Sequence, residues 1–290
     1  MKALYDVPAP AKLNLFLHVT GRRDDGYHLL QSAFMLIDWC DSLHFETRAD
    51  GQVSREDLGP ALPADDLIVR AARALQSLSG SALGANIAVD KRIPAQAGMG
   101  GGSSDAATCL LALNRLWRLD LPLPTLEQIG LQLGADVPFF LRGRNAWVEG
   151  VGEQITPLSG EFELPAARFC VVKPAAGLDT RMIFTAGDLK RDTNTATISG
   201  FAANPYGFGL NDLQPVAQRL CPEVTQALQW LESQGMQARM TGSGSAVFAQ
   251  MLQPADLASA PGAWTIRECS NLDAHPLLGW APSDNSSVGV

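Results

Sequence analysis

The segment Pro94-Ala95-Gln96-Ala97-Gly98-Met99-Gly100-Gly101-Gly102-Ser103-Ser104-Asp105-Ala106-Ala107 sets four glycines and two serines between a strand-like stretch and a helical one. Glycine takes turns closed to other residues and lets main-chain N–H groups approach an anion. The following helix aims unpaired donors and its positive dipole end at the same place. Phosphate binding by Pro94, Gly98, Met99, Gly100, Gly101, Gly102, Ser103 and Ser104 is the chemistry this context serves, with a plain flexible turn as the alternative. Ser104 is also placed to meet a metal accompanying a nucleotide. The Gly-Lys-Ser/Thr ending of a Walker loop is missing, and no acidic residue closes a following strand as a dinucleotide fingerprint requires, so both of those folds are set aside.

Lys12 and Asn14 stand at the opening of an apolar strand. There a lysine either neutralises a substrate oxygen and a transferring phosphoryl group or is an end-of-strand charge reaching for water. Asp136, between Ala135 and Val137, is either a general base or the cap of a turn that contains Pro138. Tyr27 and His28 close the polar turn Gly21–His28 and face either solvent or a ligand. Thr241–Phe248 is a second Gly/Ser loop, suited to an anion nest or to a tight reversal. Phosphoryl transfer needs donors on several sides of the phosphate chain, which two such loops supply if folding brings them together.

These residues need a scaffold. Leu13, Leu15, Leu17 and Val19 alternate as in a half-buried strand, with Leu29–Asp38 as the return partner. Ser42–Glu46 and Asn86–Asp90 read as further strands. Leu67, Ile68, Ala71, Ala72, Leu75 and Leu78 recur at helical spacing behind Asp65 and Asp66 as caps. A second helix is expected over Ser104–Leu119, and a third from Thr125, where Gln128 completes a capping box and Gly134 offers a stop. A new helical entry follows at Gly134–Phe140, with Pro138 in its first turn. Asn145–Val151 and Arg168–Lys173 are strand-like. Later come helices over Asn211–Leu220, Glu223–Glu232 and Ala255–Ala260, strands over Gln237–Met240, Ala246–Gln250 and Thr265–Cys269, and a loose tail over Ala281–Val290.

A chain of 290 residues allows two modest domains or one large unit, at roughly 150 residues per domain. With 46% apolar and 18% charged residues it is globular rather than disordered. A formal charge of −8 gives no general basic field for a nucleic-acid backbone, although a local cationic pocket can still hold an anionic small molecule. No long apolar run or secretory leader is present, so no membrane association and a cytoplasmic location are expected. The five cysteines are scattered and odd in number, which suggests neither a disulfide framework nor a thiolate zinc site, and Cys109 reads as a buried small hydrophobe.

Taken with Pro10-Ala11-Lys12-Leu13-Asn14-Leu15-Phe16-Leu17, Gly26-Tyr27-His28, Asp65–Ala72, Gly134-Ala135-Asp136-Val137-Pro138-Phe139 and Glu149–Glu153, the two Gly/Ser loops give the chain a resemblance, over almost its whole length, to the GHMP small-molecule kinases. Within them it is most similar to the branch that takes a cytidyl-linked methylerythritol. The resemblance implies an α/β (α+β) two-domain fold, 1–160 and 161–290, with the active-site cleft between a nucleotide-binding N-terminal part and a C-terminal part. It implies ATP and Mg²⁺, and transfer of the γ-phosphoryl group to the 2-hydroxyl of the cytidyl polyol in non-mevalonate isoprenoid precursor synthesis. By the same resemblance Asp136 is the base, Lys12 the cation that orients the hydroxyl, Asn14 a polyol contact, and Tyr27, His28 and Phe184 the grip on the cytosine.

Two positions depart from the superfamily loop: Met99 where leucine is common, and Asp105 where alanine is common. Asp105 is expected to point away from the phosphates or to meet a cation. The metal ligands stay unassigned, and monomer and homodimer both stay open. A kinase for homoserine or a mevalonate-like acid is the runner-up, and a non-catalytic nucleotide or metabolite sensor the reading from another class.

Overall fold

The computed structural model describes residues 2–283. The chain opens with two long antiparallel strands, β1 (Ala3–Arg22) and β2 (His28–Arg48), joined by a tight turn in which Arg23 N donates to Tyr27 O at 2.8 Å. Along its other edge β2 pairs first with β5 (Ala146–Gly150), through Leu30–Phe34, and then with β4 (Gly84–Asp90), through Ser42–Arg48. Outside these lie β3 (Val53–Asp57), parallel to β4, and β6 (Gln154–Pro157), antiparallel to β5. A second, antiparallel sheet has the order β10 (Thr265–Ser270), β7 (Arg168–Lys173), β9 (Val247–Gln250), β8 (Ala238–Met240). Among the strands of the described residues β3–β4 is the one parallel pair, which makes this a mixed α+β fold, distinct from doubly wound dinucleotide folds.

The alternation expected of β1 gives way to continuous burial from Ala9 to Val19, because apolar layers cover both of its faces. Val7 and Ala9 join a core under α1 (Leu67–Ser79), α2 (Gly101–Leu116), α3 (Leu123–Leu133) and α4 (Val137–Arg142). Leu13, Leu15 and Phe16 join the core between the sheets, with Trp39, Trp147, Phe169, Val171 and Phe248. Leu17 and Val19 enter a third core under α7 (Gln214–Leu220) and α8 (Pro222–Ser233). Irregularities in the β1–β2 register fall at Pro10/Lys12 and Asn14/Leu17. Such irregularities re-aim side chains, here on either side of the buried Lys12 and Asn14.

Asp66 caps α1 as expected, its carboxylate accepting from Val69 N at 3.1 Å. Helix α2 starts at Gly101 rather than Ser104, because Gly100 adopts a left-handed φ of 71° and the chain is helical from the next residue. Its first turn is therefore the glycine-rich loop itself. It stops at Leu116 rather than Leu119, with Trp117 as the closing cap. The Thr125–Gln128 capping box does not form. Pro122 occupies the N-cap of α3, and Thr125 N bonds back to Pro122 O at 3.0 Å. The Ala255–Ala260 helix reduces to one 3-10 turn, Leu257–Ser259. Helix α7 begins only at Gln214, since Asn211 is occupied by bonds to Met240 O and Gly242 O. Short helices α5 (Thr180–Phe184) and α6 (Ile198–Ala202) flank the segment that crosses β1.

Beyond β10 the chain returns to the first sheet. Leu272 N donates to Leu36 O, His275 N to Gly143 O, and Leu277 enters the first core. Of the tail expected to be loose, 284–290 lie outside the described residues. All five cysteines are free, and Cys109 is fully buried. Among the described residues no helix is long and apolar enough to cross a membrane.

Candidate active site

The phosphate-type loop is clamped on two sides. Lys12 N on β1 donates to Met99 O at 3.0 Å, while Ser245 N and Ala246 N donate to Gln96 O and Ala97 O at 3.1 and 3.2 Å. The two Gly/Ser loops thus lie against each other. Gly98 has φ +73°, and a Cβ there would stand 2.3 Å from Thr241 O, so neither the conformation nor the space admits another residue. A cavity of about 790 Å³ opens over Pro94–Ser103 and is closed opposite by Asp179, Thr180, Ser243 and Gly244. Thr180 and Ser243 share a hydroxyl–hydroxyl bond of 2.6 Å within that wall.

Asp105 meets a cation, as expected. Lys91 is held between Asp41 and Asp105, at 2.5 Å from the latter, and Asp41 also accepts from Arg92 N and Ile93 N. Burial pushes the Asp105 carboxyl up, to about 8, against the pull of Lys91. The buried Ser104 Oγ, in the first turn of α2, and Asp105 Oδ1 have no hydrogen-bond partner. Among the described residues no three His, Cys, Asp or Glu side chains gather to hold a metal.

Next to the loop, Lys12 is buried, and its Nζ bonds Asn14 Oδ1, stands 3.6 Å from Asp136 Oδ2 and lies 4.4 Å from the centroid of the Phe34 ring. Burial lowers the Lys12 pKa, and Asp136 offsets part of that shift. Asn14 is fixed from three directions: its N donates to Thr241 Oγ1 at 2.9 Å, its Nδ2 donates to Ser32 Oγ at 2.9 Å, and its Oδ1 accepts from Lys12 Nζ. Asp136 occupies the N-cap position of α4, yet its φ and ψ of −83° and −14° are helical and its carboxylate makes no cap bond. The capping role is therefore not what the carboxylate serves. Its side chain is 31% exposed and, with Lys12, Asn14, Phe184 and Thr180, lines a cavity of about 310 Å³ that shares Gly98, Gly100 and Ser243 with the loop cavity.

On the far side that cavity shares Leu30, Val151 and Phe184 with a third, of about 710 Å³, walled by Tyr27, His28, Arg22 and Arg181. The rings of His28 and Phe184 lie 5.1 Å apart, tilted by 38°. Tyr27 is 65% exposed. Phe184 ends α5, and instead of disappearing into the packing of that helix it forms the wall common to two cavities. Burial, Arg191 and Arg22 together lower the His28 pKa.

The structure thus brings all the residues singled out from the sequence to one continuous set of cavities, apart from Ser104, which lies beneath it. Ser32, Thr180, Ser243, Lys91 and Arg191 were missed. Ser243 sits inside a motif that did stand out, but the other four act through partners remote in sequence and carry no local pattern.

Residues 66–144 match the model of the GHMP kinases N terminal domain, and residues 197–266 that of GHMP kinases C terminal. The chain is 68% identical, over 289 residues covering 100% of it and 99% of the relative, to a 4-diphosphocytidyl-2-C-methyl-D-erythritol kinase of Albidiferax ferrireducens. A crystal structure of a 4-(cytidine 5'-diphospho)-2C-methyl-D-erythritol kinase is similar at a TM-score of 0.77 and 33% identity, over 91% of this chain and 98% of that one. A homoserine kinase from Cytophaga hutchinsonii, at 14% identity, shares the fold with a TM-score of 0.67 over 95% of this chain and 96% of its own.

Proposed function

The chain belongs to the GHMP kinases, and from that premise we propose that it transfers the γ-phosphoryl group of ATP to the 2-hydroxyl of 4-diphosphocytidyl-2-C-methyl-D-erythritol. The products are ADP and the 2-phosphate, in non-mevalonate isoprenoid precursor synthesis. The observation that carries the reading is the order of the cavities: a phosphate-type loop, then the Lys12–Asp136 pair, then the aromatic His28–Phe184 end. A substrate with an alcohol at one end and a base at the other spans the last two, and ATP enters from the first.

In this reading the main-chain donors of Gly98–Ser103 and the start of α2 cradle the phosphates, between units 1–160 and 161–290. Asp136 accepts the hydroxyl proton as the alcohol oxygen attacks γ-phosphorus, and the bond from phosphorus to the bridging β-oxygen breaks. Lys12, already paired with Asp136 and Asn14, orients the hydroxyl and stabilises the charge that develops on the transferring group. Asn14 holds the polyol, and Tyr27, His28 and Phe184 hold the cytosine. Ser104 Oγ, buried without a partner beneath the loop cavity, would be the group of α2 to hold Mg²⁺ alongside the phosphates. Mg²⁺ supplies charge neutralisation and alignment of the phosphate chain.

A coupled ADP-release assay on a panel of cytidyl polyol, homoserine and mevalonate tests the substrate. Release should depend on the cytidyl polyol, and folded, magnesium-supplied protein that phosphorylates another alcohol instead rejects the assignment. Asp136→Asn should keep ATP binding and lose about 10²- to 10⁴-fold in kcat. An unchanged kcat removes Asp136 as the base.

A further inference from the structure

Arg191 lies between α5 and α6, and none of the roles above uses it. Its guanidinium donates through Nε to His28 Nε2 at 2.9 Å, through Nη1 to Leu189 O at 2.9 Å, and through Nη2 to Phe184 O and Ala186 O at 3.1 and 2.8 Å. A guanidinium has donors and no acceptor. His28 Nε2 must therefore present its lone pair, and the one ring proton must sit on Nδ1. Protonating Nε2 as well would break this bond and set two cations against each other. An unconstrained histidine side chain carries its proton chiefly on Nε2, so the contact with Arg191 reverses the ordinary preference. The same side chain holds the carbonyl of Phe184, whose ring lies against His28.

We propose that Arg191 is a positioning residue for base recognition: it locks His28 as a neutral Nδ1–H donor. The proposal rests on the function given above, in which this end of the cavity takes the cytosine. Cytosine offers O2 and N3 as acceptors on one edge, and a fixed Nδ1–H donor complements that edge. A uracil ring carries a hydrogen at N3 and offers a donor in its place. Arg191 reaches the base only through His28, as a second layer of support for the contact.

Nitrogen-15 NMR of the histidine ring in the folded, substrate-free protein tests the lock directly, without reference to turnover. The expected spectrum shows His28 protonated at Nδ1 and bare at Nε2. A ring protonated at Nε2 overturns the proposal. In Arg191→Met the proton should return to Nε2, and KM for the cytidyl polyol should rise about tenfold, the loss of one well-made hydrogen bond. kcat and the KM for ATP should stay within about twofold, since nothing at the reacting centre changes. Arg191→Lys, which keeps a cation near the loop carbonyls but lacks the Nε donor, should give the same split if the methionine variant folds poorly. Adding Arg191→Met to His28→Asn should cost nothing more, and additive losses overturn the proposal. Should the protein ignore the cytidyl polyol altogether, the functional reading fails while the spectrum still decides the tautomer.

Discussion

Replacing Lys12 with methionine separates a catalytic charge from a structural one. The ammonium lies 3.6 Å from Asp136 Oδ2, a separation at which two unit charges attract by about 4 to 5 kcal/mol in a medium of effective dielectric about 20. Most of that attraction offsets the cost of burying the charge, the same burial that lowers the Lys12 pKa. The partners are unequal, since the Lys12 side chain is 4% exposed and that of Asp136 31%, so Asp136 can hydrate once its partner is gone. Methionine also keeps most of the buried stem. Lys12→Met should therefore change unfolding free energy by no more than about 1 kcal/mol. It should lower kcat/KM by about 10²- to 10³-fold, the usual cost of losing a donor aimed at developing charge. Coupled ADP release and thermal denaturation on the same preparations give both numbers. The sign of the pH effect follows from the lowered folded pKa. Between that value and 10.5 the unfolded chain holds more protons, so the native protein gains stability as the pH rises through this window, and Lys12→Met should lack the gain. Loss of kcat/KM by less than about threefold, with stability unchanged, would refute the reasoning.

Gly98→Ala should lower the affinity for ATP and cost about 1 to 3 kcal/mol of stability for the left-handed backbone, with more for the collision against Thr241 O, as read by denaturant unfolding and ATP titration. Equal affinity and stability would show that the two loops need not touch. His275 is buried, accepts from Leu277 N at 3.0 Å and has a pKa pushed down to about 4 by burial. Its folded value lies below the ordinary 6.5, so the stability tied to its neutral form is complete above 6.5 and is lost as the pH falls toward 4, by about 3 kcal/mol in all. His275→Asn, which keeps an acceptor for Leu277 N, should flatten this acid slope in urea titrations.

The parts of the site legible in the sequence are those whose residues adjoin along the chain. The loop Pro94–Ala107 declares itself because its glycines, serines and helix are contiguous, and Arg168–Lys173 because Phe169, Val171 and Val172 report a strand whose ends match those observed. Lys12 and Asp136 are ambiguous taken singly, since each has a sound structural use, and only the fold sets them 3.6 Å apart. The burial of β1 on both faces is illegible because it depends on what packs beyond the strand, and local alternation reports nothing of that. Thr125 and Gln128 fit a capping box but lose to Pro122, which takes the N-cap first. Arg191 has no local signature: its meaning lies in a bond to a residue 163 positions away.

The return of residues beyond β10 to the first sheet bears on synthesis. Leu277 completes the core under α1–α4, and Pro282 O accepts from Leu123 N at the start of α3. On the ribosome the first sheet and its helices emerge early, and domains ordinarily fold in that order. Here the half made first waits for a segment made after the whole second sheet, so until then its apolar floor stays open. A nascent chain held before residue 271 would keep that floor accessible to chaperones, and emergence of residues 272–282 would be the event that closes it.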